Sequence, residues 1–296
     1  IHARLAQARL PHSGPPQLSI LRDEPGCSFQ QPEFSPDGRW LACLRSAADG
    51  DTLELLDLTT GRWQVLAGGA GAVLCLPTWL QGQRSYAWAP DSQSLVFTRY
   101  TQARAQLWQV TLSNGKTIPL PDNPYTWFNQ PCYSPDGRLA CLASAADLPP
   151  SVRLLTESGW ETLAQADPPP APGRYPAPRP LEFGAANGEQ VHATWYPPVA
   201  ASGALPPAVV HLHSGPTRLA GLEYDPEILF FTSRGIGWLS VNYRGSAGFG
   251  RAYQEALHGR WGEVDVEDAA AAIQALAASG WADPQRLALY GSSAGG

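Results

Sequence analysis

The sequence has little that would suit a membrane protein, a disulfide-linked protein or a metal-binding protein. No run approaches the roughly 18 apolar residues needed to span a bilayer, and the N-terminal segment lacks the charged-then-apolar build of a signal peptide. The five cysteines are odd in number and form no Cys-x-x-Cys pair, so neither a disulfide framework nor a zinc site is indicated. We therefore expect a soluble, cytoplasmic protein with reduced thiols.

Methionine and clusters of basic residues are also missing. The 296 residues begin at Ile1, contain no methionine and end just after a Gly-rich turn, which predicts a fragment cut at both ends. Twenty basic against twenty-six acidic residues give a net charge of -6, and no Lys/Arg cluster interrupts that mildly acidic background. Nucleic acid is therefore not an expected partner.

A repeat dominates the first half of the sequence. Residues 31–44 read QPEFSPDGRWLACL, residues 130–142 read QPCYSPDGRLACL, and a weaker copy begins at Tyr86. The prolines of the three copies follow one another at a spacing of roughly 50 residues, which suits the four-stranded blade of a β-propeller. The same turn also occurs in unrelated sandwiches, but phrase and period together favour the propeller.

The Ser-Pro-Asp-Gly phrase predicts a hairpin turn, because Pro presets φ, Asp tolerates the next position and Gly lets the chain leave. Each copy is followed by a second hairpin, so residues 1–166 are predicted to form a partial propeller of about three blades, with the remnant of a fourth before Cys27. Three blades cannot close a ring, since propellers use roughly four to eight. Cys43 and Cys141 occupy matching places in their repeats, which favours core packing over reactivity.

Residues 167–180, DPPPAPGRYPAPRP, predict a semi-rigid linker that holds neither a ladder nor a helix, and hence a domain boundary. Residues 181–296 then alternate strands with helices, the pattern of a buried parallel sheet. Strands are predicted over residues 181–183, 191–196, 208–213, 237–243 and 286–290, and helices over about 224–234 and from the acidic residues at 263–268 to Ala278.

The acidic residues at the start of the long helix, Glu263, Asp265, Glu267 and Asp268, resemble a metal or acid/base cluster at first sight. The dipole of a helix favours anions at its first turn, and solvated carboxylates are common there. We interpret these residues as helix-end electrostatics and solvation. Ser279-Gly280 is the predicted end of this helix.

The segment Gly-Ser-Ser-Ala-Gly at residues 291–295 follows a short apolar strand directly. A strand followed by Gly-x-Ser-x-Gly is typical of the strained turn that exposes a nucleophilic serine, and the small residues two before and two after it belong to Ser293. Ser292 fails the same test because the residue two positions before it is the bulky Tyr290. Ser293 is the predicted nucleophile, the backbone N–H of Ala294 one oxyanion donor, and the loop of residues 213–216 the source of the second.

Several motifs together resemble the prolyl oligopeptidase family of serine peptidases, which joins a β-propeller to an α/β-hydrolase domain. The resemblance implies a propeller followed by the N-terminal part of a hydrolase domain at residues 181–296, and the acylaminoacyl peptidase branch fits best because it has His at the position of His213. That branch uses backbone glycine for the oxyanion, which implies the N–H of Gly215. The motifs are the Ser-Pro-Asp-Gly blades, His213-Ser214-Gly215-Pro216, residues 241–250 (VNYRGSAGFG), Trp261-Gly262 with Asp265 and Asp268, and residues 291–296.

The resemblance implies a serine peptidase that cleaves short peptides through an acyl-enzyme at Ser293, without a cofactor or metal. In this fold the triad runs Ser, Asp, His along the chain, so Asp and His would follow Gly296 and the chain alone is predicted to be inactive. A carboxylesterase-type hydrolase and a propeller binding protein with a degenerate hydrolase domain stay open as alternatives, as does a homo-oligomer. Arg244 and Tyr243 are interpreted as an ion-paired brace and a packed ring rather than substrate contacts.

Overall fold

The first half of the chain is built from antiparallel meanders. The computed structural model describes residues 3–9, 14–78, 82–171, 174–185, 187–199 and 203–296. A two-stranded hairpin comes first, and three four-stranded sheets follow in which neighbouring strands pair in chain order, as in the blades of a propeller. The predicted repeat is therefore a blade. The hairpin consists of β1 (Leu5–Arg9) and β2 (Gln17–Arg22); the blades consist of β3 (Ser28–Phe34), β4 (Trp40–Ala47), β5 (Gly50–Asp57) and β6 (Trp63–Gly68), then β7 (Tyr86–Trp88), β8 (Ser94–Thr101), β9 (Arg104–Thr111) and β10 (Thr117–Pro119), then β11 (Trp127–Tyr133), β12 (Leu139–Ala145), β13 (Leu148–Thr156) and β14 (Gly159–Gln165).

The Ser-Pro-Asp-Gly phrase forms the turn that its residues predict. Gly38 and Gly137 adopt left-handed φ values of 71° and 87°, and the N–H of each donates to the carbonyl oxygen of the serine three residues earlier, at 2.9 Å in both turns. A residue with a Cβ would be strained at this φ, so the phrase requires glycine there. The turn connects β3 to β4 in one blade and β11 to β12 in another.

The two matching cysteines lie inside their blades. Cys43 on β4 and Cys141 on β12 are buried, and burial raises the pKa of each thiol to about 12. A thiol with such a pKa is almost never ionised at neutral pH and is a poor nucleophile. Both residues pack as core, as their equivalent places in the repeat predict.

A mixed five-stranded sheet forms the second half, in the order β15-β16-β18-β17-β19. Strands β18, β17 and β19 are parallel, whereas β15 and β16 join antiparallel on the side of β18. With the blades, this sheet makes the chain a partial propeller followed by the N-terminal part of an α/β-hydrolase fold. The elements are β15 (Arg179–Gly184), β16 (Gln190–Tyr196), β17 (Ala208–Leu212), α1 (Pro226–Thr232), β18 (Gly237–Asn242), α2 (Arg251–Glu255), α3 (Val264–Ala278), β19 (Leu287–Gly291) and a single 3-10 turn (Ser293–Gly295).

The predicted linker is wrong at its C-terminal end. Arg179 and Pro180 belong to β15 and pair with Trp195 and Thr194 of β16. β15 is the edge strand of its sheet, and an edge strand tolerates a proline because one side of it needs no N–H donor. Residues 172 and 173 of the predicted linker lie outside the described residues.

The long helix α3 covers the parallel strands with an apolar face. Val264, Ala272 and Leu276 are fully buried against Val210 and Leu239 of the sheet. The opposite edge of the sheet is β19, where Leu289 and Tyr290 keep 62% and 42% of their surface exposed. Within the part of the chain that the structure describes, no helix is both long and apolar enough to cross a bilayer.

The segment after β17 joins the two halves. Leu222 accepts a hydrogen bond from the Thr126 hydroxyl through its carbonyl oxygen, and its N–H donates to the carbonyl of Ala103 at 2.8 Å. Leu219 packs between Tyr100 and Trp127 of the blades. The segment that continues from the predicted oxyanion loop therefore lies against the blades.

Candidate active site

Two neighbouring parallel strands bring the candidate site together. In the pairing of β17 with β19, Leu212 lies opposite Gly291. The loop that begins at His213 and the turn that carries Ser293 therefore leave the same edge of the sheet, at the carboxyl ends of their strands. Ligand sites in open α/β sheets form at that edge.

Ser293 occupies a sharp bend directly after β19. Its φ is 53°, a left-handed value that few residues with a side chain adopt, while Ser292 before it is extended with φ -140°. One 3-10 turn follows, closed by N–H donation from Gly295 to Ser292 and from Gly296 to Ser293 at 2.9 and 3.0 Å. The bend leaves Ser293 exposed at the surface. Backbone strain of this kind is a feature of functional sites.

Close backbone packing explains the two glycines that bracket Ser293. A Cβ on Gly291 would overlap the carbonyl oxygen of Gly295, and a Cβ on Gly295 would overlap that of Leu212. Any larger residue would push the bend away from the end of β17. The Gly-x-Ser-x-Gly spacing is therefore a packing requirement of this turn.

Two backbone N–H groups near this bend have no hydrogen-bond acceptor within the described part of the chain. They belong to Gly215, which has a left-handed φ of 51°, and to Ala294, the residue after Ser293. Both residues are partly accessible. Free N–H groups held by a fixed backbone are suited to stabilise a developing oxyanion.

His213, the first residue of the loop, is 3% exposed, and its side chain contacts other protein groups rather than solvent. Its Nε2 lies 2.7 Å from the hydroxyl oxygen of Ser246, its Nδ1 lies 3.1 Å from the carbonyl oxygen of Ser214, and its ring stacks on Tyr243 at 4.5 Å. Burial lowers the pKa of His213 to about 4. The imidazole is therefore neutral at physiological pH.

Arg244 and Asp268 form a buried ion pair beneath the same loop. The Arg244 guanidinium donates to both carboxylate oxygens of Asp268, at 2.7 Å in the shortest contact, and the Arg244 backbone N–H donates to it at 2.7 Å. Glu189 and Glu267 add further contacts at 2.7 and 3.3 Å. The interpretation of Arg244 as a brace and of Tyr243 as a packed ring is confirmed.

The interpretation of the acidic residues on α3 is wrong for Asp268. Asp268 is completely buried, whereas Glu263 and Glu267 lie at the surface as predicted. Asp268 is the fifth residue of α3 and faces the sheet, where Arg244 neutralises it across 24 residues of sequence. Local spacing could not reveal this, because the partner comes from another element.

A cavity of about 210 Å³ opens between the candidate site and α1. It is lined by Ser214 and Ser292, which flank the predicted site residues, and by the carboxylates of Glu223, Asp225 and Glu227. Burial raises the pKa of Glu223. Sequence reasoning did not single out Glu223, and the Gly-Leu-Glu-Tyr-Asp context offers no motif that would have done so.

These residues have the geometry that the predicted nucleophile and its oxyanion donors require. Ser293 has a strained and exposed position, two free N–H groups lie at the same sheet edge, and a neutral histidine supports the loop of one of them. Within the described residues, no histidine or carboxylate forms a hydrogen bond with the Ser293 hydroxyl. The arrangement can hold an acyl group and its oxyanion once a base activates the serine.

The chain is similar to known proteins in both sequence and fold. Residues 222–296 match the model of the prolyl oligopeptidase family. The chain is 33% identical to the crystal structure of a puromycin hydrolase, with a TM-score of 0.88 over 99% of this chain and 45% of that one. It is 32% identical to a puromycin-hydrolyzing peptidase of Mycobacterium tuberculosis, with a TM-score of 0.85 over 94% of this chain and 43% of that one.

Among curated proteins, the chain is similar to acylamino-acid-releasing enzyme 1 of Oryza sativa subsp. japonica. The two are 38% identical over 90 residues, which are 30% of this chain and 12% of the rice protein. The chain thus spans less than half the length of the solved structures above and about an eighth of that curated relative.

Proposed function

We propose that the chain, whose residues 222–296 match the prolyl oligopeptidase family, is part of a serine peptidase that hydrolyses short peptides through an acyl-enzyme at Ser293. The observation that carries the proposal is the left-handed bend at Ser293 between two glycines that cannot bear a Cβ. A serine in an ordinary turn needs neither feature.

Each site residue has a distinct role in this proposal. The Ser293 oxygen attacks the scissile carbonyl, and the N–H groups of Ala294 and Gly215 donate hydrogen bonds to the resulting oxyanion. Backbone donors are effective because they are held in place before the charge develops. This chemistry uses no cofactor.

The base that activates Ser293 and its acidic partner are proposed to lie outside these 296 residues. The family resemblance implies the order Ser, Asp, His along the chain, and the described histidines all precede Ser293. Loss of triad members lowers the rate by orders of magnitude, so the chain alone is expected to be inactive. Every activity test therefore uses the full-length protein.

Short peptides are the proposed substrates because the propeller blades lie against the segment that continues from the predicted oxyanion loop and would restrict access to the candidate site. Relatives release acylated amino acids or hydrolyse puromycin, according to their names. The cytoplasmic location, the homo-oligomer and the domain limit at residue 166 stay predictions.

A fluorophosphonate probe tests the nucleophile directly, since it reacts with an activated serine whether the enzyme is a peptidase or an esterase. We expect the full-length protein to be labelled, Ser293→Ala to abolish labelling, and the neighbouring Ser292→Ala to retain it. Labelling that survives in Ser293→Ala, or its absence in the wild type, would favour a binding protein with a degenerate hydrolase domain.

The turnover of amides against esters separates the peptidase from the carboxylesterase. We expect full-length protein to hydrolyse a peptide p-nitroanilide as well as a p-nitrophenyl ester. Activity confined to the ester would remove the peptidase assignment and leave Ser293 as an esterase nucleophile.

A further inference from the structure

We propose that His213 is a positioning residue that holds the Ser214–Gly215 peptide with its Gly215 N–H turned toward the oxyanion, and that its imidazole does so as the neutral Nδ1–H tautomer. The inference rests on the role proposed above for Gly215. It adds a residue that touches neither substrate nor the reacting atoms.

The surroundings of the ring determine the tautomer. His213 Nδ1 lies 3.1 Å from the carbonyl oxygen of Ser214, and Nε2 lies 2.7 Å from the hydroxyl oxygen of Ser246. The Ser246 hydroxyl also lies 2.7 Å from the carbonyl oxygen of Tyr243. That carbonyl already accepts the backbone N–H of Ser246 at 2.9 Å. The Ser246 hydroxyl can therefore donate either to this carbonyl or to the ring, and the carbonyl has a donor in both cases.

A neutral His213 ring carries one proton, and the neighbouring groups favour its placement on Nδ1. With a proton on Nδ1, the ring donates to Ser214, and Ser246 donates its hydroxyl proton to Nε2. With a proton on Nε2 instead, the Nδ1 lone pair would face the Ser214 oxygen at 3.1 Å, a repulsive contact between two acceptors. Within the described residues, the Ser214 carbonyl has no other donor, whereas the Tyr243 carbonyl keeps the Ser246 N–H when the hydroxyl turns to the ring, so the first arrangement leaves neither carbonyl without a donor.

The charged form of the ring is excluded by its environment. A doubly protonated imidazole could donate to both neighbours, but burial keeps the pKa of His213 at about 4. Within the described residues, no carboxylate forms an ion pair with the ring. Burial is the largest influence on the pKa of His213; the hydrogen bond with Ser214 raises that pKa, and His211 and Arg218 lower it further. The ring is thus neutral throughout the physiological pH range.

The geometry of a peptide bond links this contact to the candidate oxyanion donor. The carbonyl of Ser214 and the N–H of Gly215 belong to the same planar unit, and in a trans peptide they point in opposite directions. A hydrogen bond that holds the carbonyl toward His213 therefore directs the Gly215 N–H away from the ring, where it has no acceptor in the described part of the chain. His213 fixes the plane of the donor.

The ring is itself held firmly in place. Tyr243 stacks on it, and the Tyr243 hydroxyl donates to the His213 carbonyl at 3.0 Å. The next residue is Arg244, anchored to the buried carboxylate of Asp268. Gly295 of the serine bend packs against the backbone at Leu212 and His213, so the same residues support both sides of the candidate site.

A matched pair of substitutions separates the two ring nitrogens. The amide nitrogen of Asn can take the place of Nδ1, whereas that of Gln reaches the place of Nε2. In the full-length protein we expect His213→Asn to keep kcat within roughly tenfold of wild type and His213→Gln to lose about 100-fold, as loss of one oxyanion donor does, with KM nearly unchanged in both. His211→Asn, which removes a half-buried imidazole without a hydrogen bond in the described residues, should keep kcat.

Equal kcat values for the Asn and Gln variants, or a loss that appears in KM alone, would overturn the inference while leaving Ser293 labelling intact. Absence of fluorophosphonate labelling in the wild type would overturn the proposed function, and the inference with it. The two failures are thus distinguishable.

A measurement on the wild type does not depend on whether the variants fold. Nitrogen-15 NMR of histidine-labelled full-length protein distinguishes the two tautomers by the chemical shifts of the ring nitrogens, and His213 is identified by the signal lost in His213→Asn or, if that variant fails to fold, by contacts to the Tyr243 ring. We expect a proton on Nδ1 at pH 7. A proton on Nε2 would contradict the proposed arrangement.

Discussion

At the scale of single residues, the candidate site depends on groups whose roles come from their surroundings. Ser293 could be predicted as the key residue because its constraint is local: the glycines two positions before and after it lie in the same turn. His213, Ser246 and Asp268 could not be assigned roles in the same way. They act through partners 24 to 33 residues away, and the sequence does not reveal which side chains the fold brings together.

The neutral state of buried His213 predicts a pH dependence of stability. Its pKa is about 4 when folded and near 6.5 when unfolded, so between these values the unfolded chain binds a proton that the folded protein does not. Stability should therefore fall as pH drops from 6.5 to 4, by ~3 kcal/mol in total, and level off below. Chemical denaturation of wild type and His213→Asn at pH 7, 5.5 and 4 measures this: the wild type should lose more than the variant. Parallel losses would contradict it.

We expect Asp268 to contribute more to the stability of the fold than Glu267, its neighbour on α3. In Asp268→Asn, the buried Arg244 loses its closest charged partner, and breaking a buried pair in this way destabilises by about 3 kcal/mol or more. Glu267→Gln is the matched control, because that carboxylate is half exposed and should contribute less than ~1 kcal/mol. Urea unfolding midpoints compare the two. Equal effects would mean that burial of the pair is irrelevant.

At the scale of elements, the hairpins and helices followed the sequence closely because turn chemistry and apolar periodicity are local properties. The Ser-Pro-Asp-Gly turns, the strands that flank Asn187-Gly188 and the helix that ends at Ser279 all formed as predicted. The start of β15 was not predicted, because Pro178, Arg179 and Pro180 were interpreted as part of the linker. Pairing with β16 overrides that local preference at a sheet edge.

The third-blade turn gives a prediction at this scale. Gly137→Ala places a Cβ in open space but at φ 87°, so the cost is backbone strain alone, about 1 kcal/mol. Gly184→Ala is the control, since its Cβ also meets nothing and its φ is outside the left-handed region. Free energies of unfolding from urea titration should separate the two variants, and an equal loss would show that the turn tolerates alanine.

At the scale of the whole molecule, the two halves meet through the segment that also carries the candidate oxyanion loop. Tyr100 and Trp127 of the blades enclose Leu219, and Gly221 packs so closely on the Trp127 ring that a Cβ could not fit. The sequence predicted both halves but not this contact, because neither repeat nor motif encodes which surfaces meet.

Trp127→Ala should loosen this contact. Removal of a buried tryptophan costs ~3–5 kcal/mol, and part of that loss should appear as earlier unfolding of the hydrolase half. Trp160→Ala is the control, since Trp160 packs on Phe128 within its own blade. Calorimetry of the full-length protein checks this: Trp127→Ala should split the thermal transition and Trp160→Ala should not.

The free edge of β19 has a consequence for handling this polypeptide. Leu289 and Tyr290 are exposed there, and within the described residues no strand pairs with the outer side of β19. Such an edge is a template for intermolecular pairing. Expressed by itself, the 296-residue polypeptide should accumulate in inclusion bodies or on chaperones, and a charged substitution such as Leu289→Lys should raise its recovery in the supernatant.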